Sequence, residues 1–522
     1  MSLDTPRAAP ARPRLSHIAR SSLMIGFFFA IDKALGLLRQ VVIGRQFGVS
    51  AELDAFNVAN NLPDLLFAMI SGGALAIAFI PVLSESLERE GRQAAWDLFS
   101  RVANLAFLVT SVLAIVIAIF AGPLVRAELG VAPGFTPALQ ALVADLMRLN
   151  LIATLLFSLS GLVMAGLQAN KHFLLPAMAP VVYDLGQIFG ALVLSPSQGL
   201  QLGGFRLPAF GLGVHGLVYG VILGAALHLA VQIPGLIRYR FRWAPRLGWN
   251  HPGVRKVLAL LGPRILTMAA FQLMFVVQDN LASRLDVGSV TALAYGWLIM
   301  QVPETLLATA LGTALLPTLS EHFARGDDPA FQTSLARAGR FLLALTVPAA
   351  VILMIPLSPL VQSAFDFDPR GTELVVWAAR AYLVGLTGHS LLEVSARAFY
   401  ARHNARTPLL AALLRAAVFV ALAVALFRGL GSAGIGLSNS LAFTLEAALL
   451  IALLSRRFRL LPELARPALR SLLAAAAGGA AAFAVLRLLS AAPLAGGVLA
   501  VLAGLLVTLP FLWPELREAT RL

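Results

Sequence analysis

Apolar stretches of about 20 residues, the length a helix needs to cross a bilayer, follow one another from near residue 20 almost to the end of this chain. Inside lipid, only a helix or a closed barrel satisfies all of its own backbone N–H and C=O groups. Runs this long and continuous favour the helix. Hydropathy marks about fourteen such spans. They lie near residues 20–46, 54–84, 102–124, 138–168, 176–196, 210–236, 256–284, 289–320, 338–363, 372–401, 408–428, 433–454, 468–489 and 493–513. Only 13% of the residues are charged, against about 25% in a soluble domain. No soluble segment is long enough to stand as a domain. The sequence therefore predicts an all-α polytopic membrane protein that works within the bilayer.

The basic stretch from Arg7 to Arg20, leading into apolar residues from Leu23, is expected to form an uncleaved first helix, because Asp32, Lys33 and Arg39 follow where a cleavage region would lie. The net charge is +14, which in a soluble protein would suggest a nucleic-acid partner. Here the basic residues sit in short loops, where they set topology, and no nucleic acid is expected. With an even number of spans, about 26 Lys and Arg fall on the side of the termini and about six on the other. Both termini are therefore expected in the cytoplasm. The chain has no cysteine, which excludes disulfides, thiolate metal sites and cysteine nucleophiles.

The chain echoes itself. Residues Ala78 to Glu85 (Ala-Phe-Ile-Pro-Val-Leu-Ser-Glu) resemble Ala314 to Glu321 (Ala-Leu-Leu-Pro-Thr-Leu-Ser-Glu), and Gly166 to Pro176 resemble Ala398 to Pro408. The two offsets are nearly equal and each corresponds to six spans. This predicts two parallel six-helix repeats, residues 1–250 and 251–460, followed by a two-helix hairpin at 461–522. Transporters use such pairs to rock around a shared midplane site. A small-residue stripe, Gly216, Gly220 and Gly224, points to close helix packing on the sixth span.

Charges within spans are costly and call for partners, water or a ligand. The densest set lies on the first two spans. At 100° per residue Asp32, Gly36 and Arg39 share a face, flanked by Lys33 and Gln40, while Asp54, Asn57, Asn61 and Asp64 form a second stripe. Two readings stand side by side. One is a buried network pairing Asp32 or Asp64 with Lys33 or Arg39. The other is a hydrated cavity wall that offers cations to an anionic substrate. Further on, Arg264, Gln272 and Asp279 lie on the seventh span, and Gln301 and Glu304 on the eighth. His389, Glu393 and Arg397 share a face of the tenth, as an ion pair or a relay. Asp145 and Arg148 read as a local pair. Enzyme signatures are missing: there is no zinc motif, no phosphate loop and no nucleophile elbow. Without an ATP site, transport would run on a sodium or proton gradient or on the membrane potential.

Several local motifs resemble those of the MurJ (MviN) family of lipid II flippases, within the multidrug/oligosaccharidyl-lipid/polysaccharide exporter superfamily. They are Leu35-Gly36-Leu-Leu-Arg39, Asp54-Ala55-Phe56 with Leu62-Pro63-Asp64-Leu65-Leu66, Ala78-Phe-Ile-Pro81, Gln272 with Asp279 and Leu281-Ala-Ser283, Leu316-Pro317-Thr-Leu-Ser320, and Phe399-Tyr400-Ala-Arg402 with Thr407-Pro408. The resemblance covers almost the whole chain. It implies movement of an undecaprenyl-diphosphate-linked disaccharide-pentapeptide from the inner to the outer leaflet of the bacterial inner membrane, in support of peptidoglycan synthesis and cell shape. It also implies a groove for the polyprenyl tail at the last two helices.

On that reading Lys33 and Arg39 engage the diphosphate, Asp54, Asn61 and Asp64 shape the cavity, and Arg264 and Gln272 contribute from the seventh helix. The departures from the family fall at Asp32-Lys33, where Ser-Arg is usual, and at Gly72-Gly73, in place of Glu-Gly. Arginines expected at two further positions are replaced by Phe67 and by the Trp297-Leu298 pair. A family sodium site would draw on Asp279, Asn439 and Thr444. Alternatives are a flippase for another polyprenyl-diphosphate glycan, a drug/cation antiporter, and, from a different class, a membrane glycosyltransferase.

Overall fold

The computed structural model describes residues 17–70, 73–199, 201–202 and 204–519. The basic stretch before residue 17 and Gly72 of the Gly72-Gly73 pair lie outside the described residues. The chain is a bundle of helices: α1 (His17–Phe47), α2 (Ala51–Ile70), α3 (Gly73–Arg89), α4 (Arg92–Arg126), α5 (Pro137–Ala169), α6 (Leu174–Phe189), α7 (Val214–Ala230), α8 (Ile233–Arg238), α9 (Pro252–Ala282), α10 (Ser289–Glu304), α11 (Ala310–Ala324), α12 (Asp328–Met354), α13 (Leu357–Phe365), α14 (Pro369–Val384), α15 (Leu386–Ala401), α16 (Arg406–Ser455), α17 (Leu460–Leu488) and α18 (Pro493–Ala519). The loop before α7 carries a small antiparallel hairpin, β1 (Gln201–Leu202) and β2 (Phe205–Arg206), which hydropathy did not anticipate.

Among the described residues, nine helical stretches are long and apolar enough to cross a membrane. One of them, α16, runs for 50 residues and contains two of the expected spans. Gly431 divides it, with φ 59 and ψ −143, a conformation open to glycine at little cost. The expected spans near 20–46, 54–84, 256–284 and 372–401 are helical too, and they carry the polar residues. Two break where the sequence reading ran on. α14 and α15 meet at Gly385, and a π turn at Thr305–Thr309 separates α10 from α11. Pi turns of this kind often lie at functional sites. Pro176 and Pro408 fall in the first turns of α6 and α16, where a missing N–H leaves no gap in the ladder.

The two echoing segments also close alike. Lys171 has φ 59 and His403 has φ 57, so each segment leaves its helix through a left-handed, non-glycine residue. Pro81 and Pro317 lie inside α3 and α11 at matching places. At one end of the bundle Lys256 donates to Glu85, and that hydrogen bond holds the Glu85 carboxyl below its usual range.

Close glycine contacts join α6 to α7. A Cβ on Gly220 would lie 2.7 Å from the Gly190 Cα, and one on Gly224 would lie 2.6 Å from the Tyr183 carbonyl oxygen. The stripe read from the sequence is therefore a packing seam, and it presses the helix carrying Tyr183, Asp184 and Gln187 against its neighbour. The α17–α18 hairpin packs through its own small residues, with Gly478 and Gly504 face to face. It lies along α12, where Ile352, Ala482 and Ala500 are buried together, and turns Leu472, Leu473 and Leu506 outward. Gly220→Val is expected to destabilise the protein by about 1–3 kcal/mol through overpacking. Gly122→Val, at a position with open space around it, should change little. Thermal unfolding of the two purified variants in the same detergent tests the difference.

Candidate functional site

The polar stripes of α1 and α2 meet α5, α6 and α10 around a cavity of about 430 Å³. Arg39 reaches it from α1, and its Nη1 donates to Asp184 Oδ1 of α6 at 2.7 Å. The partner of Arg39 is thus Asp184, rather than Asp32 or Asp64. Asp64 also lines the cavity and is open to it. On the α5 side Asn150 donates to Asn60 Oδ1 at 2.7 Å, and Asn60 donates to the Phe56 carbonyl at 3.1 Å. Aromatic rings form another wall, with Phe157 between Phe67 at 5.4 Å and Tyr183 at 5.0 Å. From the second half come Tyr295 and Leu298. The Tyr295 hydroxyl donates to the Gln40 carbonyl at 3.0 Å. It can do so because residue 44 is a glycine: a Cβ there would lie 2.9 Å from that hydroxyl.

Other residues singled out from the sequence bond, at one end of the cavity, across to helices that follow residue 250; of these Asn57 also lines the cavity, while Asp54 and Asn61 do not. Asp54 is buried and caps the start of α10. It accepts from Gly288 N at 2.6 Å, from Thr291 N at 2.7 Å and from Thr291 Oγ1 at 2.6 Å. A helix N-terminus presents unpaired N–H groups and a partial positive charge, so a carboxylate from another helix is well placed there. Asn61 donates to Asp279 Oδ2 at 2.7 Å, and Asn57 donates to Thr291 Oγ1 at 3.3 Å. At the same end Arg45 donates to the carbonyls of Ala364 and Ser363, at 2.9 and 3.0 Å, closing the C-terminus of α13. Arg284 donates to Glu128 Oε1 at 2.6 Å. Asp54 and Asn61, expected to shape the cavity, are not among its lining residues; they act as a clasp, bonded to α10 and to Asp279.

Lys33 also lies elsewhere. It pairs with Asp32 at 3.3 Å with 61% of its side chain exposed, and it sits 5.1 Å from the Phe29 ring. Gln272 is not among the cavity's lining residues. The side chain of Arg264 lies outside the described residues. The residues expected for sodium are engaged separately. Asp279 holds Asn61, Asn439 faces His389 at 3.1 Å, and Thr444 donates back to the Ser440 carbonyl. Close to Asn439, the buried Arg415 pairs with Glu446 at 2.8 Å and lies 4.2 Å from the Phe443 ring. Among the described residues no three His, Cys, Asp or Glu side chains converge as metal ligands. Asp279, Asn439 and Thr444 bond three different partners, and none bonds another of the three. His389 likewise leaves the expected relay, while Arg397 pairs with Glu393 at 2.5 Å. Asp145 and Arg148 form the local pair read from the sequence, at 2.7 Å.

The sequence reading passed over Asp184, Gln187, Asn150 and Thr154. Each pair lies one helical turn apart in an otherwise apolar span, a spacing that places both members on one face. That signal was available. Phe67 and Leu298, marked as positions where cations were expected, do line the cavity.

Asp54→Ala should lower stability by about 1–3 kcal/mol, because it strands the Gly288 and Thr291 donors. Asp54→Asn, which keeps an acceptor oxygen, should lose less. Equal unfolding temperatures for wild type and Asp54→Ala would show that the cap does not hold the halves.

The family model for lipid II flippase MurJ matches residues 43–510. The lipid II flippase MurJ of Burkholderia cenocepacia is 31% identical over 459 residues, 84% of each chain. The probable lipid II flippase MurJ of Vibrio cholerae is 27% identical over 445 residues, covering 83% of this chain and 82% of that one. Among solved structures, a lipid II flippase MurJ in an inward closed conformation superposes with a TM-score of 0.78 at 23% identity, covering 95% of this chain and all of the other. An inward-facing multidrug resistance transporter of the MATE family shares the fold at a TM-score of 0.68 and 14% identity, over 80% of this chain and 94% of its own.

Proposed function

Because the chain belongs to the MurJ family of lipid II flippases, we propose that it carries lipid II from the cytoplasmic to the outer leaflet of the bacterial inner membrane by alternating access. The observation that carries this reading is a cavity between helices from before and after residue 250, lined among the described residues by Arg39 as its one cation and clasped at one end by contacts that cross between those helices. With the arginine-rich loops in the cytoplasm, both termini are cytoplasmic and the clasped end is the outer one. The substrate then enters from the cytoplasmic side.

Arg39 is the residue that meets the diphosphate. Its bond to Asp184 uses one Nη1 donor and leaves other N–H groups of the fork, and a guanidinium fork matches phosphate oxygens. Asp184 keeps the cation oriented before the substrate arrives. Outward opening requires the Asp54 cap, the Asn61–Asp279 bond and the Arg45 contacts to part. Each exchanges a protein hydrogen bond for one to water at a net cost of about 1 kcal/mol. A handful of such contacts makes a barrier that differential substrate binding is large enough to tip. The first half, the second half up to about residue 460, and the hairpin act as the moving parts. A second reading, a flippase for a different polyprenyl-diphosphate glycan, draws on Phe67 and Leu298 in the cavity wall.

The test is lipid II exposure in cells depleted of their own flippases, read by an external enzyme that cleaves whatever has crossed. Wild type should restore cleavage, Arg39→Ala should abolish it, Arg39→Lys should keep part, and Lys33→Ala should stay active. Cleavage by a well-expressed Arg39→Ala protein would remove Arg39 from this role. No cleavage with wild type would move the substrate to another lipid-linked glycan. Topology is tested separately, since the chain lacks native cysteine. A cysteine at exposed Ser197 should label from outside intact cells, and one at exposed His403 only after permeabilisation.

A further inference from the structure

Building on the lipid II reading, we infer that this cavity recognises the sugars of its substrate, and that contacts to the glycan, rather than to the diphosphate, supply most of its discrimination. Arg39 is the one cation among the described residues that line the cavity; it is already paired with Asp184, and Asp64 adds a negative charge to the same wall. A diphosphate bound chiefly by electrostatics would need cations in excess. Phe67 and Leu298 stand on the wall instead.

The cavity is rich in neutral hydrogen-bonding groups. Gln40, Asn57, Asn60, Asn150, Thr154 and Gln187 line it. Amides and hydroxyls both donate and accept, which suits sugar hydroxyls and acylamino groups, whereas phosphate oxygens only accept. Part of this capacity is unspent. Asn150 Oδ1, Gln187 Nε2 and Arg39 Nε are buried without a hydrogen-bond partner. Unpaired buried polar atoms are costly and rare; three of them belong to side chains that line this one cavity, and a polar ligand that turned those side chains toward it would complete them. The Phe67–Phe157–Tyr183 wall supplies flat apolar surface beside these amides. A cavity of about 430 Å³ is of the size common to small-ligand sites, and apolar walls with a few placed polar groups are their common form.

The experiment compares three lipids with the same tail and diphosphate: undecaprenyl diphosphate, its disaccharide derivative, and the disaccharide-pentapeptide. Affinities are measured on the purified full-length protein in nanodiscs. The wild type should bind the disaccharide lipid at least about tenfold more tightly than the bare diphosphate, because buried polar groups left unpaired penalise the smaller ligand. Adding the pentapeptide should change affinity by less than that. Gln187→Leu and Asn150→Leu should shrink the disaccharide step to about twofold. Arg39→Gln should weaken all three lipids by a common factor. Unfolding temperatures confirm that each variant is folded, and Gln187→Asn serves as the conservative replacement if Gln187→Leu is not. Equal wild-type binding of the first two lipids, or a step that comes only with the peptide, would overturn the glycan inference and leave the flippase reading standing. Failure of the wild type to bind any of the three would bring down both.

Discussion

The Asp54 carboxylate at the start of α10 carries three of the hydrogen bonds that tie the helices before residue 250 to those after it. It sits on a helix of the first half and satisfies three donors of the second, all within 2.7 Å. A bare helix N-terminus within a bilayer would have unpaired N–H groups and no water to pair them. Removing Asp54 from α10 therefore requires water or another acceptor to take its place. This makes the contact strong while that end is dry and weak once it is wet, which is the behaviour a gate needs. Asn57 and Asn61 lie one and two turns further along α2 and reach the second half in the same way. The face of α2 that reads as a polar stripe is thus divided, with some residues serving the clasp and others, such as Asp64, serving the cavity.

Bilayer physics made the helices legible. A run of apolar residues of the right length has few alternatives in lipid, so helices fell close to where hydropathy placed them. Their internal breaks were harder to see. The π turn at Thr305–Thr309 and the junction at Gly385 leave hydropathy unchanged, because they alter backbone geometry and not composition. The glycine seam between α6 and α7 was readable, since a stripe of small residues every four positions has one common physical use.

The site was legible only in part. Arg39 stood out because a cation in an apolar span demands a partner, but the sequence could not name that partner. Asp184 lies 145 residues away, and pairing across such a distance is decided by tertiary packing. The same limit explains Asp54. A carboxylate that caps a distant helix and one that lines a cavity have the same helical spacing. Lys33 was grouped with Arg39 because both are cations near one face of α1. A separation of six residues turns them well apart, and Lys33 looks outward to Asp32 and Phe29. Membership of a family of lipid II flippases supplies the substrate class, and in the reading proposed for this chain that class is met with Arg39 and a wall of amides and rings.

The short helix α13 has a mechanical consequence. Its last carbonyls are held by Arg45 of the first half, while its body packs against α14 of the second half and against α18 of the C-terminal hairpin. In the proposed cycle this makes α13 the crank of a linkage with three arms. Release of Arg45 would leave α13 to α14 and the hairpin, so that those three would travel together. The hairpin would then be driven by way of nine residues, gearing the flank of the protein to the end that opens.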